Sequence, residues 1–363
     1  MSKLGDYVNI RTGKLDANAS SNNGKYPFFT CSVNPLKIDT YSYDCECVLV
    51  AGNGDLNVKY FNGKFDAYQR TYIIESKNKN ILSVSYFYCF LNKYVETLRL
   101  QAIGGVIKYI KLNNLTEADI IIPSIEKQKV IVSKINKVTD LIDKHKKQLQ
   151  KLDELVKARF VEMFGTLEFP AGDFDKDILK NLCYKITDGK HGGCTAEEGT
   201  KRYFVGAKEI YNNEVHYETA PEINIKEFEK DYKRCNVEIG DFLIVNTGAT
   251  IGKSAITTDS RTEHTLLQKS VALLKVKKDI LNPTFLKYCY KVNDNMYRVT
   301  GASAQPNLLL SKINSTEIYV PPIELQNQFA DFVKQVEKTK SEVQKSLQKL
   351  EMLKKALMQK YFG

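Results

Sequence analysis

The sequence predicts an α+β fold in which two globular segments are joined by two long antiparallel coiled-coil helices, the whole built as a pseudo-twofold internal repeat. Three observations predict it. Residues 123–165 align without a gap on residues 321–363 at a constant offset of 198, and 15 of the 43 paired positions are identical. The identities include Pro123/Pro321, Ile125/Ile323, Glu126/Glu324, Gln128/Gln326, the run Gln150-Lys151-Leu152 with Gln348-Lys349-Leu350, and Phe164-Gly165 with Phe362-Gly363. Shared lysine-rich composition supplies only a few such matches, so the chain is duplicated. Each repeat also carries apolar residues in alternating steps of three and four, which is a heptad seam. Ahead of each repeat, short apolar or β-branched runs are parted by Gly, Asn and Asp turns, which reads as sheet rather than as an alternating βα array.

A chain of 363 residues accommodates two cores. The repeat sets the boundaries at 1–122 for the first globular segment, 123–165 for the first helix, 166–320 for the second globular segment and 321–363 for the second helix. In the first segment Cys47-Val48-Leu49-Val50 and Tyr72-Ile73-Ile74 read as strands and Val84 to Leu98 as a helix. In the second, Phe242-Leu243-Ile244-Val245 and Ser270-Val271-Ala272-Leu273-Leu274 read as strands and Pro283 to Tyr297 as a helix. Both sheets are expected to be twisted and largely antiparallel.

The first long helix carries its seam from Ile131 through Ile135, Val138, Ile142, His145, Leu149, Leu152, Val156, Phe160 and Met163. The second carries Phe329, Val333, Val336, Val343, Leu347, Leu350 and Tyr361 at matching places, interrupted by Lys340 and Lys354. Pro123, Pro321 and Pro322 stand ahead of the helices and Gly165 and Gly363 at their C-terminal ends, where each residue type suits the backbone. His145 matches Val343 in the repeat and reads as a packed seam residue rather than a ligand. Short connections at Thr166 to Pro170 and at Pro321-Pro322 favour antiparallel helices, a strut of about 38 residues or about 57 Å with one head at each end.

The two segments also match loosely. Thr12-Gly13-Lys14 pairs with Thr187-Asp188-Gly189-Lys190, the turn Ala51-Gly52-Asn53-Gly54-Asp55 with the loop from Thr247 to Lys253, Gln69-Arg70 with Gln268-Lys269, and Gly104-Gly105 with Gly301-Ala302-Ser303. A scaffold kept while its loops diverge points to one job done on two different targets.

Composition bounds the chemistry. The net charge is +10, but Lys+Arg against Asp+Glu runs 14 to 11 over residues 1–125, 10 to 6 over 126–165, 21 to 21 over 166–323 and 8 to 5 over 324–363, so any basic surface is local. The eight cysteines form no Cys-x-x-Cys and read as reduced thiols without a metal site. No apolar run spans a bilayer and the first residues hold no apolar signal core, which makes the cytoplasm the expected location. Gly248-Ala249-Thr250-Ile251-Gly252-Lys253-Ser254 approaches a phosphate-binding loop but has three residues between the glycines instead of four, and strand rather than helix follows. Val320-Pro321-Pro322-Ile323 lacks the polar residue before and the aromatic residue after that an amino-methyltransferase loop requires, and the four histidines share no spacing with carboxylates or cysteines.

With the repeat, the starts Pro123-Ser124-Ile125-Glu126-Lys127-Gln128 and Pro321-Pro322-Ile323-Glu324-Leu325-Gln326, and the divergent heads in hand, the whole chain resembles the specificity (S) subunit of type I restriction-modification systems. The resemblance implies that 1–122 and 166–320 are target-recognition domains reading a bipartite, asymmetric DNA site around an unread spacer. It further implies that the helices are spacer and dock for two methyltransferase (M) subunits, with restriction (R) nuclease/translocase subunits as further partners. S-adenosylmethionine, ATP and Mg²⁺ would then be bound by the partners and no cofactor or metal by this chain, which would be non-catalytic. Polar loop residues would read bases while Lys and Arg meet phosphates. The expected DNA-contacting residues are Lys14, Asn53, Gln69, Arg70 and Lys108 in the first head, and Lys190, His191, Thr247, Thr250, Lys253, Gln268, Lys269, Gln305 and Asn307 in the second. Two other readings stay open: a non-enzymatic coiled-coil adaptor whose heads bind proteins, and a P-loop hydrolase.

Overall fold

The computed structural model describes residues 1–298 and 307–363. Contacts divide the chain into two compact units, one of residues 1–147 with 344–363 and one of residues 148–343. Each unit therefore holds a globular head, the N-terminal part of one long helix and the C-terminal part of the other.

In the first unit β1 (Ser2–Lys3) leads through a single helical turn, α1 (Leu4–Tyr7), into β2 (Val8–Thr12). Then come β3 (Tyr26–Phe29), β4 (Leu36–Ile38), β5 (Tyr43–Ala51), β6 (Val58–Ala67) and β7 (Thr71–Ser76). They form one six-stranded sheet in the order β2-β7-β5-β6-β3-β4, antiparallel except where β3 runs parallel to β6. Successive side chains leave a strand on opposite faces, and both faces here are covered. Val48, Val50 and Ile74 pack against helix α2 (Val84–Gln101), while Cys47, Leu49 and Ile73 pack with Phe29, Tyr43 and Phe65. Two covered faces explain why the strands read as unbroken apolar runs. The short helix α3 (Leu112–Thr116) and β8 (Asp119–Ile120), which pairs with β1, close the head before α4 (Ile125–Phe164).

The second unit repeats this order. β9 (Lys176–Ile178), α5 (Leu179–Leu182) and β10 (Cys183–Asp188) correspond to β1, α1 and β2. A long insertion follows, with β11 (Tyr203–Val205), β12 (Ile210–Tyr211), β13 (Glu214–Val215) and α6 (Ile225–Asp231). Then come β14 (Phe242–Val245), β15 (Ser254–Ile256), β16 (Thr265–Leu267) and β17 (Val271–Val276). The main sheet is ordered β10-β17-β14-β15, the arrangement of β2-β7-β5-β6, and β11 pairs parallel with β16 beside it. Phe242, Ile244, Ala272 and Leu274 face helix α7 (Pro283–Val292), whereas Leu243, Val245, Val271 and Leu273 face the insertion. Helix α8 (Leu310–Ser315) and β18 (Glu317–Tyr319), paired with β9, lead into α9 (Ile323–Phe362).

Four expectations are corrected in detail. Both long helices begin at the Ile of the repeated start and run 40 residues, about 60 Å each, rather than about 38. Helix α2 continues to Gln101, because Leu98 is still buried in the head core one turn before its end. Helix α7 stops at Val292 instead of Tyr297, because the buried Asn293 side chain caps it, its amide donating to Cys289 O at 2.9 Å and its carbonyl accepting from Leu167 N at 2.8 Å. Finally, Lys340 does not break the seam. Only 15% of its side chain is exposed, and its ammonium donates to Asp153 at 2.9 Å across the pair and to Glu337 at 3.1 Å. Burial works against that charge, yet these partners hold the lysine's pKa above its ordinary value.

The helices are antiparallel within each unit. Ile131 and Ile135 share a core with Met358, and His145 Nε2 meets Ser346 Oγ at 3.0 Å. In the other unit Val156 and Phe160 share a core with Phe329, Val333 and Val336. The matched Phe164 and Phe362 play the same part, Phe164 against Phe285 and Phe329, and Phe362 against Tyr86 and Phe90. Gly165 follows Phe164 at φ +74°, the left-handed C-terminal position that favours glycine.

The repeated glutamine has an equally definite job. Gln128 is wholly buried, and its amide donates to Ile81 O at 2.7 Å and Pro123 O at 2.8 Å while its carbonyl accepts from Ser83 N at 2.9 Å. Gln326, also wholly buried, donates to Ile280 O at 3.0 Å and Pro321 O at 2.7 Å and accepts from Asn282 N at 2.8 Å. Ser83 and Asn282 are the N-caps of α2 and α7. Each glutamine thus ties the start of a long helix to the start of the head helix through three hydrogen bonds to backbone groups.

Candidate nucleic-acid interface

In the first unit four connections meet at one end of the sheet. The turn after β2 lies on the end of β6, with Leu15 N donating to Ala67 O at 3.4 Å and Gln69 N to Leu15 O at 2.9 Å. Gly13 is required there, since a Cβ would fall 2.1 Å from Ala67 O. The β5–β6 turn approaches the β6–β7 turn through Gly52 N to Arg70 O at 2.8 Å. It is also held to the segment after α2, through Gly54 N to Lys108 O and Ile110 N to Gly52 O, both 2.9 Å. All five expected residues of this head are therefore gathered. Lys14, Gln69, Arg70 and Lys108 are exposed, Asn53 is half-buried, and Gln69 donates to Asp16 at 3.0 Å.

The second unit brings corresponding connections together. Lys190 N donates to Leu267 O at 2.7 Å and Lys269 N to Lys190 O at 2.9 Å, with Gly189 where a Cβ would lie 2.2 Å from Leu267 O. Asn246 N donates to Ser270 O at 3.0 Å, and Leu308 N to Asn246 O at 2.7 Å. Thr247 Oγ1 donates to Asn307 Oδ1 at 3.3 Å. The result is a polar cavity of about 350 Å³ lined by Lys190, Gly192, Thr247, Gln268, Lys269, Ser270 and Asn307. Five of the nine residues expected here line it. His191 stands exposed beside Lys190, its ring 3.4 Å from the Asp188 carboxylate. Thr250 and Lys253 lie outside the lining, in the turn joining antiparallel β14 and β15, so the loop that approaches a phosphate-binding motif is a hairpin with no helix behind it. Gln305, with the Gly301-Ala302-Ser303 turn, lies outside the described residues.

Charge is arranged differently in the two places. Among the described residues, Lys14, Arg70 and Lys108 in the first unit and Lys253 and Lys269 in the second take part in no ion pair. Lys190 is half-buried and bound to the insertion, 2.8 Å from Asp231 and 3.5 Å from Glu227, and the hydrogen bond it donates to Asp231 raises its pKa. It anchors the cavity wall with part of its charge already answered. Sequence reasoning missed Ser270, which merely follows the Gln-Lys pair, and Arg234, which pairs with Asp188 behind His191 and carries no sequence signal. Among the described residues no group of three or more His, Cys, Asp or Glu could hold a metal ion. No helix among them is long and apolar enough to cross a membrane.

The family model described as type I restriction modification DNA specificity domain matches residues 1–154 and again 177–352. The chain belongs to this family. Each match holds one head with most of the long helix that follows, so the duplication in the sequence is a duplication of the family's unit. Among specificity-domain relatives, the type I restriction enzyme EcoDI specificity subunit of Escherichia coli is 34% identical over 155 residues, 43% of this chain and 34% of that subunit. The match thus spans about a third of the length of that curated relative. Two solved structures share the fold at 16% identity. One is a type I restriction-modification S subunit from M. genitalium, with a TM-score of 0.63 over 99% of this chain and 95% of the other. The other comes from work on complex assembly and conformational transition of a type I system, with a TM-score of 0.60 over 99% and 96%.

Proposed function

We propose that this chain is the DNA-recognition subunit of a type I restriction-modification complex, reading a bipartite, asymmetric site with one half-site per head and an unread spacer between. The observation that carries the reading is that both units raise the same set of turns from the same strand order, keep a glutamine at Gln69 and Gln268, and otherwise arm the turns differently: Asn53, Arg70 and Tyr109 against Thr247, Lys269 and Asn307. Amide and hydroxyl groups of this kind pair with base edges, and the exposed cations meet phosphates. Residues 1–122 and 166–320 act as the two target-recognition domains, and the paired helices act as spacer and as dock for two methyltransferase subunits and for restriction subunits. Catalysis, with S-adenosylmethionine, ATP and Mg²⁺, is assigned to those partners. The test is methylome sequencing of cells carrying the cognate methyltransferase with and without this chain. A bipartite methylated motif that appears only with the chain is expected. Methylation at an unchanged motif without it sinks the proposal and favours a protein-binding adaptor.

A further inference from the structure

The first head carries, between α2 and α3, a loop whose tip adds nothing to its cores. Ile103 and Tyr109 exchange backbone hydrogen bonds of 3.0 and 2.8 Å, making a short antiparallel neck. The neck is fixed to the sheet through Lys108 O, through Ile110 N and by the Tyr72 hydroxyl, which donates to Ile110 O at 3.2 Å. Gly104 turns the chain at φ +113°, where a Cβ would lie 2.6 Å from Ile107 O, so the turn is built around a glycine. At the tip stand two β-branched aliphatic side chains, Val106 fully exposed at 102% and Ile107 at 62%. Neither contributes to a core, yet their loop is hydrogen-bonded to the turn that carries Asn53, which in turn lies against the backbone of Arg70.

From this arrangement we infer that Val106 and Ile107 are specificity-determining residues that read thymine 5-methyl groups in the major groove of the half-site bound by the first head. The inference rests on the DNA-recognition reading above and adds its chemistry. A loop of two chain segments on so short a neck suits the major groove, which is about 12 Å wide, better than the minor groove at about 6 Å. Stiff branched methyl ends suit contact with a thymine methyl, the one apolar group on the major-groove edge of a base pair. Lys108 in the loop and Arg70 in the neighbouring turn are placed to meet the phosphates that border the groove. The corresponding sequence of the second head, Gly301-Ala302-Ser303-Ala304-Gln305, holds no large aliphatic residue, so this readout belongs to one half-site.

The test uses the full chain assembled with its methyltransferase and a duplex carrying the methylome motif, with thymine replaced by deoxyuracil one position at a time in the half-site that survives exchange of residues 170–320. Loss of one buried methyl is expected to weaken wild-type binding about fourfold at one or two positions. The Val106→Ser and Ile107→Ser variants, with unchanged melting temperature because both sites are exposed, should bind the thymine duplex several-fold more weakly and lose their sensitivity to deoxyuracil. Equal sensitivity in wild type and variants overturns the inference. So do a half-site without thymine and a rise in 2-aminopurine fluorescence that disappears in the variants, which would mark a wedge between bases. A complex with no sequence preference at all instead overturns the DNA-recognition reading, so the two failures are distinct.

Discussion

The two heads keep the same four strands in the same order and differ in what they put beside them. The first extends its sheet outward with β3 and β4, so that Phe29, Phe61 and Phe65 cluster on the sheet itself. The second spends the same stretch of chain, between β10 and β14, on an insertion whose Phe204, Ile223 and Phe228 form a small core with Leu266 of β16. What stays constant is the buried glutamine clamp and the terminal phenylalanine, which the repeat preserves, and in the heads themselves the glycine pressed onto a strand end, Gly13 and Gly189. The comparison teaches that the frame is set by a few buried contacts near the helix starts, and that the segment between the first and second core strands is free to change. A frame with that division of labour suits a protein whose two readers must differ.

Exchanging residues 170–320 for those of a relative is the largest perturbation of this comparison. The exchange should replace one half-site entirely and leave the other unchanged in the methylome, and a change in both half-sites would break the independence of the heads.

Next in size are the clamps. Gln128→Ala and Gln326→Ala each remove three hydrogen bonds to backbone groups, a loss of about 2–4 kcal/mol to the unit concerned. Hydrogen-exchange mass spectrometry should show loosened amides around α2 for the first variant and around α7 for the second. Loosening of the opposite head would show that the frame is shared rather than repeated.

The smallest effect separates the helices α2 and α7. In the second head burial, assisted by Lys287 and Lys340 and opposed by Asp153 and Glu337, pushes Lys291 down to about 7. Its unfolded value is about 10.4, so the native state resists the proton in the window between, and the lysine's destabilising effect is full below pH 7 and fades as pH rises toward 10. Lys291→Met should therefore raise the melting temperature by roughly 2–6 °C at pH 6.5 and by much less at pH 10. A gain that is independent of pH would assign the effect to packing.

Much of this architecture is legible in the sequence because its signals are periodic or repeated. The heptad seam marks α4 and α9, and the runs at Val48 and Ile244 mark strands covered on both faces. The repeat marks Gln128 and Gln326 as important but not why, since a hydrogen bond to a backbone group 44 or 45 residues away leaves no local pattern. Lys340 shows the limit of reading polarity alone, for it reads as an interruption until its partner Asp153, 187 residues distant, is known. At the candidate interface the Gly-Lys and Gln-basic turns carry enough signal to place Lys190, Gln268 and Lys269 together. The pairing of Lys190 with Asp231 does not show, because the insertion that brings α6 alongside has no counterpart in the first head.

Phe362, packed on Tyr86 and Phe90, also bears on how the molecule is made. The second unit is one uninterrupted stretch of chain, residues 148–343, whereas the first needs 344–363 to complete it. Domains ordinarily fold in the order in which a ribosome delivers them. Here the order is reversed: the head synthesised second has all its parts first, and the head synthesised first waits with the surface of α2 uncovered until Met358 and Phe362 arrive. Truncations near the end of α9 should accordingly act at a distance in sequence, leaving the nearby second head intact and exposing the core of the one begun at β1.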